Sequence, residues 1–497
     1  MNRRFVLPLL LLTITVLSAL QAQRTNRAIA ASEIVPPARS PASVDTPALS
    51  VRRIPEFLQS PTAERRLREE LVAPVEALPP GTCLAVAEHG LDLVSLESLT
   101  PMAPASTQKL LTALAALHVL GPDSVLTTKV VVEEPSVDGV VLGDLWLIGG
   151  GDPLLMTTPY ADRFDDPFAY SDLADLADAV VASGIREVQG SVVGDESRYD
   201  AIRYPGTWPD RFKPGWSIQS GPLSALSVDD GFTNWDAVNP ASSLSVPSDD
   251  PAILAARLFD DHLESRGVVI RGRVDSGTVP GAPGWRTVAS LDSVPVRLLV
   301  EQMLVESDNT TAELLIKEMG HTPTDRGTTV RGLSVLLDAL GAAGHPVEGV
   351  VPHDGSGLDP DNRLTCGLLA SILDDQKVGS VLVDALPVAG DRGTMKKRFV
   401  GTAGEGRVRA KTGTLRGVSS LAGVIDTPGG RRLAFALISN GELPYEIRDL
   451  HEEVVLSMLS YPSGPVVDLL SPRPLLNPAT ADSVAAEMRS LSAQGSP

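Results

Sequence analysis

Metal-binding and cationic side chains are scarce in this chain of 497 residues. Two cysteines, Cys83 and Cys366, and seven scattered histidines form no group with the spacing of a metal site. The chemistry is therefore expected to run without a metal or other cofactor. Basic residues number 42 against 62 acidic ones, a formal charge of −20. That balance argues against a nucleic-acid partner and against a polybasic membrane contact. Long apolar runs are also lacking. Phe5 to Leu20 is the one candidate, and its 16 residues fall short of the roughly 20 a membrane span needs. The triple glycine at Gly149 is followed by no Gly-Lys-Ser/Thr, so a phosphate-binding loop is a poor reading of it.

What is present begins with an export pattern. Arg3 and Arg4 precede the apolar run, and Ala28-Ile29-Ala30 fits a small-x-small cleavage site. Residues 1–30 are read as a cleaved signal, with a retained N-terminal anchor as the alternative. Either places the protein in the cell envelope or outside the cell. Export makes a disulfide chemically possible. Cys83 lies in a strand-like segment and Cys366 in a helix-like one, so a bridge and two separate buried thiols both remain open. Residues 31–60 are rich in Pro, Ala and Ser and read as a linker. Residues 463–497 read as a polar, flexible tail.

Between these ends the hydrophobic pattern changes character twice. Residues 61–125 carry a charged helix (62–73), two short strands from Thr82, and an apolar helix containing Ser106, with Leu110, Leu111, Leu114, Leu117 and Leu120. Residues 126–291 are dominated by β-type runs at Val130, Val140, Leu145 and Val192, with helical stretches at 171–184 and 251–266 and a loop-like part over 200–250. Residues 292–462 return to helices and end in three strands, Val408 to Leu415, Val418 to Thr427 and Arg431 to Asn440, and an amphipathic helix. The expected fold is α/β (α+β): an antiparallel sheet flanked by helices, interrupted by an inserted, mostly-β region.

Three short motifs describe one site. Ser106-Thr-Gln-Lys109 puts a hydroxyl and an amine one helical turn apart, on one face. A serine hydroxyl needs a base to take its proton, and Lys109 serves only if neutral. Burial and neighbouring positive charge, from Lys411 and the helix N-terminus, favour the neutral amine. Ser307-Asp308-Asn309 supplies a second hydroxyl, suited to relaying a proton, and an amide to hold a substrate. Lys411-Thr412-Gly413 with Thr414 is a cation and hydroxyls on a strand edge, suited to a terminal carboxylate. Gly413 is expected to leave room for substrate backbone. The helix end and the Thr414 N–H are the expected oxyanion donors. Taken singly, each motif has a bland reading: helix surface, a helix cap, a strand end. Their conjunction in this order is what points to a serine acyl-transferase.

The chain resembles the peptidases of the penicillin-binding protein 4 type, the class C low-molecular-mass penicillin-binding proteins. Besides the three motifs, the resemblance rests on Gly149-Gly-Gly-Asp-Pro-Leu-Leu, Gly194-Asp195, Gly221-Pro-Leu-Ser-Ala-Leu-Ser, Asp354-Gly-Ser-Gly-Leu358 with Asn362-Arg-Leu-Thr365, and Gly390-Asp-Arg-Gly-Thr394. It covers roughly residues 60–460. It implies a β-lactamase-like transpeptidase domain interrupted by insertions, D-alanyl-D-alanine carboxypeptidase and endopeptidase activity on peptidoglycan stem peptides, and acylation of Ser106 by β-lactams. It also implies that Ser356 lines the site and that Asp195 meets the substrate amine. Where such peptidases often carry Ser-Arg, this chain has Asp359-Pro360, which alters the expected side-chain preference. Two rivals stand beside this reading. A β-lactamase would be shorter and would carry Glu-x-x-Leu-Asn after Ser307. A catalytically idle wall-binding protein would not need every motif residue intact. The sequence sets no oligomeric state.

Overall fold

The computed structural model describes residues 13–24, 55–134, 136–214, 218–235, 245–281, 284–322, 325–375 and 379–462. The chain divides into two compact units. One comprises residues 1–58 and 466–497, of which 13–24 and 55–58 are described, both as helix. Of the segment read as an export signal only residues 13–24 are described; the rest of it, most of the linker and the C-terminal tail lie outside the described residues. The other unit, Gln59–Pro465, holds every motif.

Helix α1 (Pro55–Glu76) runs through Pro61 and Pro74, so the last residues assigned to the linker are helical instead. It buries Ala63, Leu67 and Leu71. Strands β1 (Thr82–Glu88) and β2 (Leu91–Leu96) form a hairpin that turns at Gly90, whose φ of +79 suits glycine. After a short turn, α2 (Lys109–Val119) is buried from Lys109 through Leu117.

The chain then builds a separate sheet. Strands β3 (Thr127–Val132) and β4 (Leu145–Ile148) pair antiparallel. Helix α3 (Leu173–Ala182), capped by the Asp172 side chain, crosses to β5 (Val192–Asp195), which pairs parallel to β4. Helix α4 (Pro251–Ser265), capped by Asp250, is followed by β6 (Asp275–Ser276) and β7 (Arg286–Asp292). The sheet order is β6-β5-β4-β3-β7. Its core joins Val130, Leu147 and Val192 to Leu176 of α3 and Phe259 of α4.

Helices α5 (Val296–Val305), α6 (Asn309–Met319), α7 (Thr329–Ala342) and α8 (Cys366–Leu373) lead to strands β8 (Val408–Leu415), β9 (Val418–Asp426) and β10 (Arg432–Asn440), and to α9 (Ile447–Ser457). The last three strands join the first hairpin in one antiparallel sheet, β8-β9-β10-β1-β2. Strand β9 is buried along nearly its whole length because helices cover both faces. Leu67 and Val454 pack with Phe435 and Leu437; Leu111, Leu114 and Leu369 pack in the core that includes Ala436 and Ile438. Cys83 of β1 and Cys366 of α8 form a disulfide, 283 residues apart in sequence. Helix α2 therefore sits against a sheet whose edge strand, β8, comes from the far end of the chain.

Candidate active site

Ser106 lies just before α2, in the single 3₁₀ turn Ala105–Gln108, not within the helix expected from the apolar pattern. Ala105 has φ +51, a left-handed conformation that is strained for a residue with a Cβ. The turn is pressed onto the sheet: Ser420 Oγ and Thr107 Oγ1 both donate to the Pro104 carbonyl, at 2.6 and 2.8 Å. A Cβ at Gly413 would stand 2.2 Å from Ser420 Oγ, 2.9 Å from Pro104 O and 3.0 Å from Ser106 N. Glycine at 413 is thus required by the close packing of the Ser106 turn on β8, a reason different from the expected room for substrate.

Lys109 is fully buried. Its Nζ donates to Asn309 Oδ1 and to the Ser356 carbonyl, each at 2.6 Å, and lies 3.3 Å from Ser106 Oγ. Burial lowers its pKa to about 8, against the opposing pull of Asp354, Glu313 and Asp308. Desolvation therefore does the work that the sequence reading shared with Lys411. Beneath Lys109, Glu313 Oε1 accepts the Gly355 and Ser356 N–H groups at 3.0 and 2.8 Å. Asp354 accepts from Gly357 N, Asp359 N, Asn362 Nδ2 and Trp208 Nε1 within 2.8 Å. Burial pushes the pKa of Asp354 up against the pull of these four donors, and burial, then the charge of Asp354, pushes that of Glu313 up as well.

Ser307-Asp308-Asn309 divides its labour. Asp308 is the N-cap of α6, accepting from Thr311 N at 3.1 Å. Ser307, at φ +60, places its Oγ 2.8 Å from Lys411 Nζ. Asn309 Nδ2 donates to the Gln219 carbonyl at 2.6 Å, which turns Oδ1 toward Lys109. Lys411 is fully buried, and its other partner is the Thr412 carbonyl at 3.0 Å. Burial, then the charge of Lys109, push its pKa well below the usual lysine value. Among the described residues, no carboxylate lies within ion-pair distance of Lys411. The pocket is arranged to gain charge when an anion enters.

Ser106, Ser307, Asn309 and Thr414 line one cavity of about 640 Å³. Two expected residues are placed differently. Ser356 is buried and contributes its carbonyl to Lys109 rather than its hydroxyl to the cleft. Asp195 is buried at the end of β5, where its carboxylate accepts Ser197 N and Val279 N, both at 2.7 Å; it is not part of the cavity wall. The sequence reading missed residues that the 126–291 segment brings to the wall, including Arg163, Phe164, Gln219 and Asp230. It also missed the Glu313–Asp354 support. Glu313 lies four residues after Asn309, one helical turn on, which was a usable signal.

The model of the D-Ala-D-Ala carboxypeptidase 3 (S13) family matches residues 80–243 and 236–457. The carboxypeptidase DacB of Mycolicibacterium smegmatis is 34% identical over 435 residues, covering 83% of this chain and 87% of that protein. The D-alanyl-D-alanine carboxypeptidase of Actinomadura sp. strain R39 is 30% identical over 453 residues, covering 76% and 81%. The crystal structure of penicillin binding protein 4 from Haemophilus influenzae aligns with a TM-score of 0.64 at 21% identity, covering 78% of this chain and 98% of that one. The chain belongs to the D-Ala-D-Ala carboxypeptidase 3 (S13) family, a family of serine-type carboxypeptidases.

Proposed function

We propose that Ser106 is the nucleophile with which this peptidase cleaves D-alanyl-D-alanine ends of peptidoglycan stem peptides, through an acyl-enzyme. The observation that carries the reading is the environment of Lys109 Nζ. Two of its N–H groups are taken by Asn309 Oδ1 and the Ser356 carbonyl. In the neutral amine the remaining lone pair faces Ser106 Oγ, the arrangement of a general base. Ser106 Oγ attacks the penultimate D-alanyl carbonyl as its proton passes to Lys109. The N–H groups of Ser106 and Thr414 are assigned to the oxyanion. The terminal carboxylate pairs with Lys411, flanked by Thr412 and Thr414. Ser307, bonded to Lys411, delivers a proton to the leaving amine. Water then hydrolyses the acyl-enzyme.

The same carboxylate-bearing geometry suits β-lactams, which would acylate Ser106, and D-alanyl cross-links whose leaving residue keeps a free carboxylate. Export by residues 1–30 and a location in the envelope fit a peptidoglycan substrate. Among the described residues no helix is long and apolar enough to cross a membrane. Residues 61–125 and 292–462 are read as one discontinuous catalytic domain and 126–291 as its insertion. Support comes from the shared sheet β8-β9-β10-β1-β2 and the separate sheet of the middle segment. Incubating the purified protein with muropeptides tests the activity. Mass spectrometry should show loss of one terminal D-alanine, absent with Ser106→Ala; unchanged muropeptides with the wild type would overturn the reading.

A further inference from the structure

Two buried carboxyl groups support Lys109, and the reaction above gives neither a protonation state. Glu313 of α6 and Asp354 of the loop between α7 and α8 are both fully buried. Glu313 lies one helical turn after Asn309. Its Oε1 accepts the N–H groups of Gly355 and Ser356, so it holds the loop whose Ser356 carbonyl accepts from Lys109 Nζ at 2.6 Å. Its Oε2 has no hydrogen-bond partner among the described residues. Asp354 is the opposite case, with both oxygens occupied. Oδ1 accepts from Gly357 N and Asn362 Nδ2, and Oδ2 from Asp359 N and Trp208 Nε1. Ser356 Oγ adds a longer contact to Asp354 Oδ2, at 3.5 Å, and bears on Glu313 as well.

Charge of the opposite sign is short here. Lys109 of α2 bears on both carboxyls, but its Nζ bonds to Ser106, Asn309 and the Ser356 carbonyl instead. Lys411 of β8 bears on Lys109. On α6 itself Lys317 is paired with Asp200, and Asp308 caps the helix. The loop adds a further buried acid, Asp359, and α7 buries Leu333, Leu336 and Leu340. Among the described residues no cation lies within ion-pair distance of Glu313 or Asp354. A general base must be an amine, so Lys109 brings no charge when it acts. Two ionised carboxyls would then be buried with nothing to balance them, which is costly until one takes a proton. The geometry says which one. A proton on Asp354 would displace one of four N–H donors, whereas a proton on Glu313 Oε2 displaces none. Burial, then the charge of Asp354, pushes the pKa of Glu313 up in the same sense.

We propose that Glu313 is a positioning residue that works as a neutral acid, with its proton on Oε2: it holds the Ser356 carbonyl on Lys109 without setting a second negative charge beside it, and so leaves Lys109 free to be an amine. Asp354 remains the anion of the pair. An ionised Glu313 would instead pull Lys109 toward the ammonium, which cannot take the serine proton. The inference rests on the assignment of Lys109 as the base of Ser106.

The test uses the full chain and Glu313→Gln, whose amide keeps the acceptor oxygen and carries no charge. The first readout needs no substrate. An infrared difference spectrum, wild type minus variant at neutral pH, should show the carbonyl stretch of a protonated carboxyl group; a carboxylate band in its place would overturn the proposal. The second is the pH profile of acylation by a penicillin. Glu313→Gln should keep the wild-type midpoint and a rate close to that of the wild type. Glu313→Ala, which releases the loop, should slow acylation on the order of tenfold or more; an Ala variant as fast as the Gln variant would remove the positioning role. A midpoint that moves down by about one pH unit in Glu313→Gln is what loss of a carboxylate beside Lys109 would produce, and it would overturn the proposal. A Gln variant that does not fold would overturn it too, because an amide in place of a neutral acid keeps both backbone bonds. A wild type that penicillin does not acylate, whatever its infrared band, would instead overturn the function on which the inference rests.

Discussion

Lys109 donates to Asn309 across 200 residues of sequence, at 2.6 Å, the shortest of its three side-chain contacts along with that to the Ser356 carbonyl. In the mechanism proposed above, this bond makes Asn309 the holder of the base. Asn309→Ala should slow acylation by a penicillin on the order of 10²-fold, since a positioned general base is worth about 10²–10⁴. Asn309→Asp should act differently. A carboxylate beside Lys109 favours the ammonium, so the pH profile of acylation should move upward. Stopped-flow acylation rates across pH would check both; a profile that stays in place in the Asp variant would contradict the assignment.

The wild-type profile has its own expectation. Lys109 must be neutral to accept the serine proton, and burial lowers its pKa to about 8. The acylation rate constant should rise with pH and level off above a midpoint near that value. A rate that falls across the same interval would place the base elsewhere.

Among the described residues Lys411 bonds Ser307 Oγ and the Thr412 carbonyl and has no carboxylate within ion-pair distance, which leaves it to pair with the substrate carboxylate in the mechanism proposed above. Lys411→Ala should reduce kcat/KM on a D-Ala-D-Ala peptide on the order of 10²-fold or more, because truncating one side of a buried charge pair costs about 2–5 kcal/mol. A carboxamide-terminated peptide should be a poor substrate for the wild type and lose far less in the variant. Equal losses on both peptides would argue against carboxylate recognition by Lys411.

Gly413→Ala tests the packing of the Ser106 turn. The added methyl group meets Ser420 Oγ at 2.2 Å and backbone atoms of Pro104 and Ser106 near 3 Å. Overpacking of this kind costs about 1–3 kcal/mol, so the variant should melt several degrees lower and lose acylation together with stability. Normal acylation and an unchanged melting temperature would show that the turn has slack.

The Cys83–Cys366 bridge closes a long loop between β1 and α8. Replacing both cysteines by alanine should cost about 2–4 kcal/mol of stability, read as a lower denaturation midpoint with the active-site motifs still in place. An unchanged midpoint would show that packing alone holds α8 to the sheet.

The sequence made the outline readable where a residue's chemistry and its local pattern agree. The three motifs survive as contacts because Ser, Lys and Asn act through side-chain atoms. Strands Val408–Leu415, Val418–Asp426 and Arg432–Asn440 match the β-type runs almost residue for residue. Legibility ended where backbone or burial decides. Ser356 works through its carbonyl, and Gly413 through the absence of a Cβ. Asp195 has the side chain of a ligand-binding residue, but the end of β5 consumes both its oxygens. The 200–250 stretch has the composition of a surface loop, yet Trp208, Leu223, Leu226 and Val228 are buried in it, because it wraps onto the cleft and the second core. Helix α1 continues through two prolines that a local reading takes as boundaries.

The central claim is that Ser106 is acylated. The direct measurement is mass-spectrometric mapping of the adduct after incubation with a penicillin, alongside the Ser106→Ala protein. The account expects one adduct per chain, on the peptide containing Ser106, and none in the variant, whose circular dichroism should match the wild type. An adduct on another residue, or labelling that persists in a folded Ser106→Ala protein, would contradict it.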